Sequence, residues 1–142
     1  MILFLDACAL IYRVEEVAPW TARLTKLLAD LRRRYAGLQL AVSRLSYLEC
    51  RVQPLSEGDE ALALRYDALF AAPELHTVEI DANVIEGATR IRAQFGLRPP
   101  DAIQVASCLS LDVEHIFLTN DPGFRRVPRL ASRMFYYSDT KI

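Results

Sequence analysis

The amino-acid sequence predicts an α/β fold, a three-layer α/β/α sandwich with a central parallel sheet of four to five strands. Short apolar segments alternate with amphipathic helical segments along almost the whole of the 142 residues. Such alternation indicates a parallel sheet with helices on both faces. The chain opens on an uninterrupted apolar run, which suits a strand buried on both faces. With 52% hydrophobic residues, the length suits a single domain over residues 1–142.

In the first half of the chain, the predicted elements have recognisable starts and ends. They are a strand at 2–5, a helix at 7–12, a helix at 20–35, a strand at 38–42 and a helix at 44–52. The long helix has leucines at helical spacing on one face, and three arginines in its last turns suit the negative end of a helix dipole. Gly37 is a typical residue after a helix end, and Ser43 is a favoured N-cap for the helix that follows.

The second half continues the alternation of helix and strand. The predicted elements are a helix through residue 70, a strand at 75–80, a helix at 84–95, a helix at 102–111, a strand at 116–119 and a short edge strand at 134–137. Ser56 and Asp59 have the spacing of a capping box at the first of these helices. Asp81 or Asn83 is placed to cap the next helix, and Gly96 to end it. A Pro-Pro pair predicts a sharp start for the last helix.

Four carboxylates occupy related positions in this predicted fold. Asp6 and Asp121 each follow an apolar strand, Asp101 lies in the first turn of a helix, and Glu49 lies in the helix after the second strand. Taken singly, each has a simpler explanation: a helix cap for Asp6, a surface edge position paired with Arg51 or a neighbour for Glu49, dipole complementarity for Asp101 and a turn for Asp121. Taken together, each can face one crevice at the carboxyl edge of the sheet, where α/β proteins bind ligands.

Four clustered carboxylates repel one another strongly, which raises the pKa of one or more of them. A hard divalent cation relieves that repulsion, and oxygen ligands favour Mg²⁺ or Mn²⁺. Zinc is not expected, because His76 and His115 are the only histidines and neither has a ligand-like partner. A metal held by carboxylates lowers the pKa of water and neutralises substrate charge, which points to displacement at a phosphate.

The segments that hold these carboxylates resemble the successive motifs of PIN-domain ribonucleases. They are residues 5–11, 46–49, 100–103 and 118–124. Each segment is short, but all four occur in order and at suitable spacing, and the resemblance covers essentially the whole chain. Chain length and motif order resemble the small VapC-type toxins of toxin–antitoxin pairs. A three-layer sandwich with a parallel sheet is the fold that this resemblance implies.

The resemblance also implies an activity, a metal and partners. It implies a metal-dependent endoribonuclease in which Asp6, Glu49, Asp101 and Asp121 hold Mg²⁺ or Mn²⁺ and activate water. Thr119 would orient metal-bound water, and Asn120 is a weaker supporting candidate that would contact the substrate. The family further implies a homodimer that is inhibited by a cognate antitoxin, whose peptide covers the acidic crevice.

One position departs from the family pattern. Many relatives carry Asn, Ser or Asp two residues after the first aspartate, where this chain has Cys8. The replacement removes a strong polar side chain near the expected metal, but it removes no carboxylate. A weakened metal affinity is therefore expected at this position.

The charge pattern offers candidates for substrate contacts. The net charge of −1 neither favours nor excludes nucleic acid, but all except two of the 17 basic residues are arginines. Guanidinium groups match phosphate oxygens, although a coding bias towards arginine explains the same composition. Arg98, Arg125 and Arg126 lie beside the third and fourth segments and are candidates for phosphate contacts at the crevice rim. The alternative is that they are ordinary solvated surface arginines.

Cysteine usage and hydropathy indicate the compartment. Cys8, Cys50 and Cys108 are odd in number, widely spaced and without a CxxC motif, which suits buried thiols in a reducing cytosol. The opening apolar run has no basic n-region, so no signal peptide is expected. No apolar stretch approaches the roughly 20 residues of a membrane span. A cytoplasmic protein without a membrane partner is expected.

Two other functions fit parts of the sequence. A PIN-like module that binds RNA or protein without catalysis would share the fold, although the presence of all four carboxylates argues against it. A phosphatase with an aspartyl nucleophile would use Asp6. Such enzymes have a second aspartate two residues further on, where this sequence has Cys8.

Overall fold

The computed structural model describes residues 1–135. The strands are β1 (Ile2–Leu5), β2 (Gln39–Ser43), β3 (Leu75–Val78), β4 (His115–Thr119) and β5 (Ser132–Met134). The helices are α1 (Ala7–Glu15), α2 (Trp20–Arg34), α3 (Arg44–Ser56), α4 (Glu60–Ala71), α5 (Ala82–Phe95) and α6 (Pro99–Leu109), and a 3₁₀ helix spans Pro122–Arg126. Strands and helices therefore alternate through most of the chain, as the sequence predicts.

The strands form one parallel sheet in the order β3-β2-β1-β4-β5. From β1 the chain adds β2 and β3 on one side, and it then crosses to add β4 and β5 on the other. The strand order reverses between β1 and β4, so the switch point of the sheet lies there. Open α/β sheets bind ligands outside the carboxyl ends of the strands at such a point. The predicted parallel sheet with helices on both faces is confirmed.

The central strands are buried on both faces, because helices cover both sides of the sheet. Leu3 and Leu5 of β1 belong to a buried apolar cluster with side chains of α1, α2 and α4. Phe4 lies in a second cluster with side chains of α5 and α6. There its ring stacks on that of Phe117 in β4, with the ring centroids 5.5 Å apart. The uninterrupted apolar run at the start of the chain follows from this two-sided burial.

Helix boundaries differ modestly from those that the sequence predicts. α1 continues to Glu15, and α6 begins at Pro99 because prolines suit the first turn of a helix. Of the two predicted caps for α5, the structure shows Asp81, whose Oδ1 accepts a hydrogen bond from the Val84 N–H at 2.9 Å. Gly96 ends α5 in the left-handed region at φ +70°, as predicted.

The prediction that Ser56 caps the fourth helix is wrong. α3 accommodates Pro54 in its last turn and ends at Ser56. Asp59 caps α4 instead, and its Oδ1 accepts a hydrogen bond from the Leu62 N–H at 3.1 Å. Ser56 and Asp59 are both favoured N-cap residues, and the length of α3 decides between them.

Two further expectations concern the end of the chain and the membrane. The edge strand predicted at 134–137 lies earlier, at Ser132–Met134, where it pairs with β4. Residues 136 and 137 lie outside the described part of the chain. Within residues 1–135, every helix is too short or too polar to cross a bilayer.

A matched pair of leucine substitutions tests the assignment of the core. Leu118 in β4 is completely buried, whereas Leu64 on α4 is 65% exposed. Leu118→Ala is expected to lower the free energy of unfolding by about 2–5 kcal/mol, because it leaves a cavity in the sheet. Leu64→Ala should change it by no more than about 0.5 kcal/mol. Urea unfolding measures both, and equal losses would contradict the assignment.

Candidate active site

The carboxyl ends of β1 and β4 meet at the centre of the sheet and bring their first polar side chains together. The Asp6 N–H donates a hydrogen bond to the Leu118 carbonyl at 3.0 Å, just beyond the last residue of β1. The Thr119 hydroxyl, completely buried at the end of β4, donates to Asp6 Oδ2 at 2.7 Å. Residues 113 positions apart are thus direct partners, because neighbouring parallel strands end at the same edge.

Donors on two elements hold the Asp6 carboxylate. The Ala7 N–H donates to Oδ1 at 2.7 Å, so Asp6 is indeed the N-cap of α1. Oδ2 accepts the hydrogen bond from Thr119 and a weaker one from the Cys8 thiol, with Sγ 3.6 Å away. Capping therefore explains one oxygen of Asp6, while the other belongs to an interaction between strands.

Thr119 also connects Asp6 to Asp121. The Thr119 hydroxyl oxygen accepts a hydrogen bond from the Asp121 N–H at 3.0 Å. Asp121 Oδ1 accepts one from the Gly123 N–H at 2.8 Å and so caps the 3₁₀ helix. A Cβ at Gly123 would lie 3.0 Å from that oxygen, so the close approach favours glycine. The Thr119 hydroxyl group thus has two partners, Asp6 and Asp121. Its predicted role in orienting water stays a prediction.

Asp101 reaches the same edge from α6. It lies in the first turn of the helix, directly after the two prolines. Arg98 Nε is 4.0 Å from Asp101 Oδ2, and the Arg98 side chain is 86% exposed. Such an exposed, long ion pair contributes little. The Asp101 carboxylate is therefore held only weakly.

Glu49 approaches from α3 and is half-buried. Its Oε1 accepts a hydrogen bond from Gln104 Nε2 at 2.8 Å. The alternative that Glu49 pairs with Arg51 is wrong, because Arg51 Nε lies 2.7 Å from Asp67 Oδ1. Arg51 also stacks over the Tyr47 ring, 4.3 Å from its centroid, which holds it on the side facing α4.

All four predicted carboxylates line one crevice of about 550 Å³. Its polar wall is made by Asp6, Cys8, Glu49, Asp101, Asn120 and Asp121. These residues come from the ends of β1 and β4 and from α1, α3 and α6, so the fold rather than the sequence brings them together. The structure thus places the candidate carboxylates at the switch point of the sheet.

The carboxylates in the crevice influence one another electrostatically. Burial raises the pKa of Asp6, and the charge of Asp101 adds to this rise, while hydrogen bonds oppose it. Burial also raises the pKa of Glu49, to which the charges of Asp6 and Asp101 contribute. For Asp101, burial and then the charge of Asp121 raise the pKa. The crevice therefore favours any ligand that brings positive charge.

Cys8 lies in the crevice wall as a protonated thiol. Burial, and then the charge of Asp6, raise the pKa of Cys8 to about 12. At neutral pH the group therefore acts as a weak hydrogen-bond donor to Asp6 rather than as a thiolate ligand. Cys50 and Cys108 are free and buried, as predicted, whereas Cys8 is only partly buried.

The residues present fit a hard divalent cation in their chemistry. Carboxylate oxygens are the preferred ligands of Mg²⁺ and Mn²⁺, and the buried Asn120 Oδ1 has no hydrogen-bond partner within residues 1–135. No three His, Cys, Asp or Glu side chains of the described chain form a ready-made ligand cluster. An ion shared by all four carboxylates would therefore require some of them to rotate.

A second cavity, of about 170 Å³, adjoins the crevice and is lined by some of the candidate arginines. It is lined by Arg98 and Arg126 and shares Asp101 and Asp121 with the crevice. Arg125, the third candidate, does not line either cavity. The structure thus places two of the three arginines beside the carboxylates.

Sequence reasoning missed two polar residues at the site. Gln104 and Ser46 are completely or almost completely buried, and Gln104 Nε2 donates to both Ser46 Oγ and Glu49 Oε1 at 2.8 Å. Gln104 follows Asp101 by three positions on a largely apolar helix, which places both on one side of α6. A polar residue one turn beyond a candidate carboxylate is the signal that indicates such a partner.

Known proteins share this fold. A family model described as PIN domain matches residues 3–130. No curated protein gives a significant match to the chain. Solved structures, in contrast, match over almost the full length.

Three of these structures illustrate the likeness. One is VapBC2 from Rickettsia felis, bound to a DNA fragment from its promoter. It is 16% identical in sequence to this chain, with a TM-score of 0.71, and the match covers 94% of this chain and 98% of that one. VapBC-1 from nontypeable Haemophilus influenzae is 14% identical with a TM-score of 0.69, covering 96% and 100%. Mycobacterium tuberculosis VapC20, a sarcin-ricin loop cleaving toxin, is 13% identical with a TM-score of 0.70, covering 87% and 92%. At sequence identities this low, the structural similarity shows a shared fold and nothing more.

The raised pKa of Asp101 predicts a stability effect. A carboxyl group whose pKa rises on folding contributes its full stability below its unfolded pKa and loses it as the pH rises through the folded value. Asp101→Asn avoids that loss, so its thermal unfolding midpoint at neutral pH, in a buffer with chelator, should exceed that of the wild type. The gain should shrink as the pH falls through the acid range. Calorimetric scans measure it, and a lower midpoint at neutral pH would contradict the prediction.

Proposed function

Because the chain belongs to the PIN-domain family, we propose that it is a metal-dependent endoribonuclease, the toxin of a toxin–antitoxin pair. The observation that carries the proposal is the convergence of four carboxylates from separate elements on one crevice at the switch point of the sheet. An acidic crevice repels bare RNA, and a divalent cation converts that repulsion into attraction. This chemistry accounts for an acidic site with a polyanionic substrate.

The proposed metal ligands are Asp6, Glu49, Asp101 and Asp121, which would hold Mg²⁺ or Mn²⁺. When bound, such an ion lowers the pKa of water and neutralises charge on a phosphate. Asn120 would add a neutral oxygen, because its buried Oδ1 is without a hydrogen-bond partner within residues 1–135.

The side chains of the crevice have different tasks in this proposal. Asp6 is fixed by hydrogen bonds from Ala7 and Thr119, so it provides a rigid anchor. Asp101 is weakly held and partly exposed, so in this proposal it is the ligand that can also turn towards the attacking water and accept a hydrogen bond from it. Hydrolysis of a phosphodiester needs such an acceptor within hydrogen-bond reach of the attacking water.

The cavity beside the crevice suits the next phosphate of an RNA strand. Arg98 and Arg126 line it together with Asp101 and Asp121, so a strand that enters there would run directly past the carboxylates. Guanidinium groups bind phosphate oxygens through paired hydrogen bonds. Contacts of this kind position RNA without reading its sequence.

The proposed partners follow from the structural neighbours. Several neighbours are toxin–antitoxin complexes, which supports a cognate antitoxin for this chain. The neighbour from M. tuberculosis cleaves the sarcin-ricin loop, which supports an RNA substrate. A homodimer and a cytoplasmic location complete the proposal.

The proposal predicts that RNA cleavage depends on Asp101 and on divalent cations. With Mg²⁺ or Mn²⁺ present, the wild type should cut a pool of cellular RNA, and chelator should stop it. Asp101→Asn should fold, but its cleavage rate should fall at least about a hundredfold. A loss of this order is expected when a group that stabilises the transition state is removed. Gel analysis with mapping of the cut sites measures both effects.

Asp30→Asn is the matched control for this test. Asp30 lies on α2 and pairs with Arg33 at the exposed surface, away from the crevice, so this variant should cleave like the wild type. Equal cleavage rates for Asp101→Asn and Asp30→Asn would refute the proposed role of Asp101 in cleavage. Absence of both cleavage and Mn²⁺ binding in the wild type would favour the non-catalytic binding module.

Neighbouring arginines offer a second test. Arg126 lines the cavity beside the carboxylates, whereas Arg125 does not. Arg126→Gln should raise the KM for RNA several-fold and reduce its dependence on salt, because one phosphate contact is lost. Arg125→Gln should have a smaller effect. Cleavage kinetics at two salt concentrations measure the difference, and a larger effect at Arg125 would refute this path for the RNA.

A further inference from the structure

Gln104 bridges the two helices that carry Asp101 and Glu49. It is 2% exposed and lies on α6 one turn after Asp101. Its Nε2 donates to Glu49 Oε1 and to Ser46 Oγ, both at 2.8 Å. Because Ser46 and Glu49 are three positions apart on α3, they lie on the same side of that helix. One amide group therefore contacts α3 at two points and fixes the direction of the Glu49 carboxylate.

Packing alone does not account for an amide at this position. The carbonyl oxygen of Gln104 is buried and has no hydrogen-bond partner within residues 1–135. A buried acceptor without a partner is unfavourable, and an apolar side chain of the same length would avoid that cost. The contribution of Gln104 must therefore come from its two donated hydrogen bonds.

The chemistry of the amide suits a carboxylate that must bind a cation. An amide N–H is uncharged, so it orients the Glu49 carboxylate without neutralising it, as a lysine or arginine would. The hydrogen bond engages Oε1, which leaves Oε2 for a ligand. Partners that orient metal ligands in this way typically contribute a factor of about 10–100 to metal affinity.

We propose that Gln104 is a positioning residue, which holds the Glu49 carboxylate in the direction that divalent-cation binding requires. The proposal rests on the proposed function, because it assumes that Glu49 is a metal ligand. It adds a residue outside the four carboxylates to the determinants of metal affinity. It also explains why a polar side chain lies on the buried side of α6.

Gln104→Met removes both donated hydrogen bonds and keeps the length of the side chain. In calorimetric titrations with MnCl₂ alone, without RNA, the Kd should rise about 10–100-fold. The thermal unfolding midpoint in chelator should change little, because removal of the unpartnered Gln104 carbonyl offsets the loss of the donor to Ser46 and Glu49. A purely structural role would give the reverse pattern, with a lower midpoint and an unchanged Kd.

Ser107→Ala is the matched control. Ser107 is also buried on α6 and also contacts the region of α3, but its hydroxyl forms hydrogen bonds with Ser43 Oγ and with the Ile103 carbonyl. This variant should lower the unfolding midpoint and leave the Kd for Mn²⁺ unchanged. If Gln104→Met does not fold, Ser46→Ala removes the other partner of Gln104 and should raise the Kd by a smaller factor.

The outcomes separate this proposal from the proposed function. Suppose that the wild type binds Mn²⁺ and that folded Gln104→Met, or Ser46→Ala in its place, binds it equally tightly. That result overturns the role of Gln104 and leaves the metal site intact. A wild type that takes up no Mn²⁺ overturns the proposed function and this inference together. A raised Kd without loss of stability supports both.

Discussion

A polar side chain that is buried away from water has to find a hydrogen-bond partner, and this constraint determines how the crevice is assembled. The buried polar residues of the described chain are Ser43, Ser46, Gln104, Ser107 and Thr119. All of them lie at the carboxyl edge of the sheet or on the helices beside it. Thr119 connects β4 to the end of β1, and the other four connect α6 to the start of α3. Apolar burial has no preferred direction, whereas these hydrogen bonds orient the elements that carry the carboxylates.

The two apolar clusters stabilise the fold, whereas the buried carboxylates of the crevice destabilise it. Asp6, Glu49 and Asp101 have raised pKa values because of burial and, secondarily, of the charges of other carboxylates in the crevice, so their ionised forms oppose folding at neutral pH. The fully buried central strands offset that cost, since apolar side chains fill both faces of the sheet. Sites built for function commonly lower stability in this way. A tightly packed sheet beneath the crevice is therefore part of what the crevice requires.

The features that the sequence predicts well depend on local signals. An apolar run that ends at Asp6, and another that ends shortly before Asp121, indicate strands whose carboxyl ends meet. Caps such as Ser43 and Gly96 mark helix boundaries. The failures have long-range causes. Ser56 and Asp59 are equally good caps, and only the continuation of α3 through Pro54 decides between them. The bond between Gln104 and Ser46 joins residues 58 positions apart, so it depends on which side of α6 faces α3.

The crevice combines a rigid part with an adjustable one, and this division follows from the same hydrogen bonds. Asp6 is held through both oxygens at the junction of the two central strands. Within residues 1–135, the Asp101 side chain has a long ion pair with an exposed arginine and no other polar partner, and Asp121 is exposed with one oxygen engaged by Gly123. Under the proposed function, the side chains of Asp101 and Asp121 can therefore rotate towards Asp6 without any movement of the sheet. Glu49 lies between these extremes, because Gln104 fixes one of its oxygens and leaves the other available. The residue that sets the balance between a preformed site and an adaptable one is thus an uncharged amide on α6.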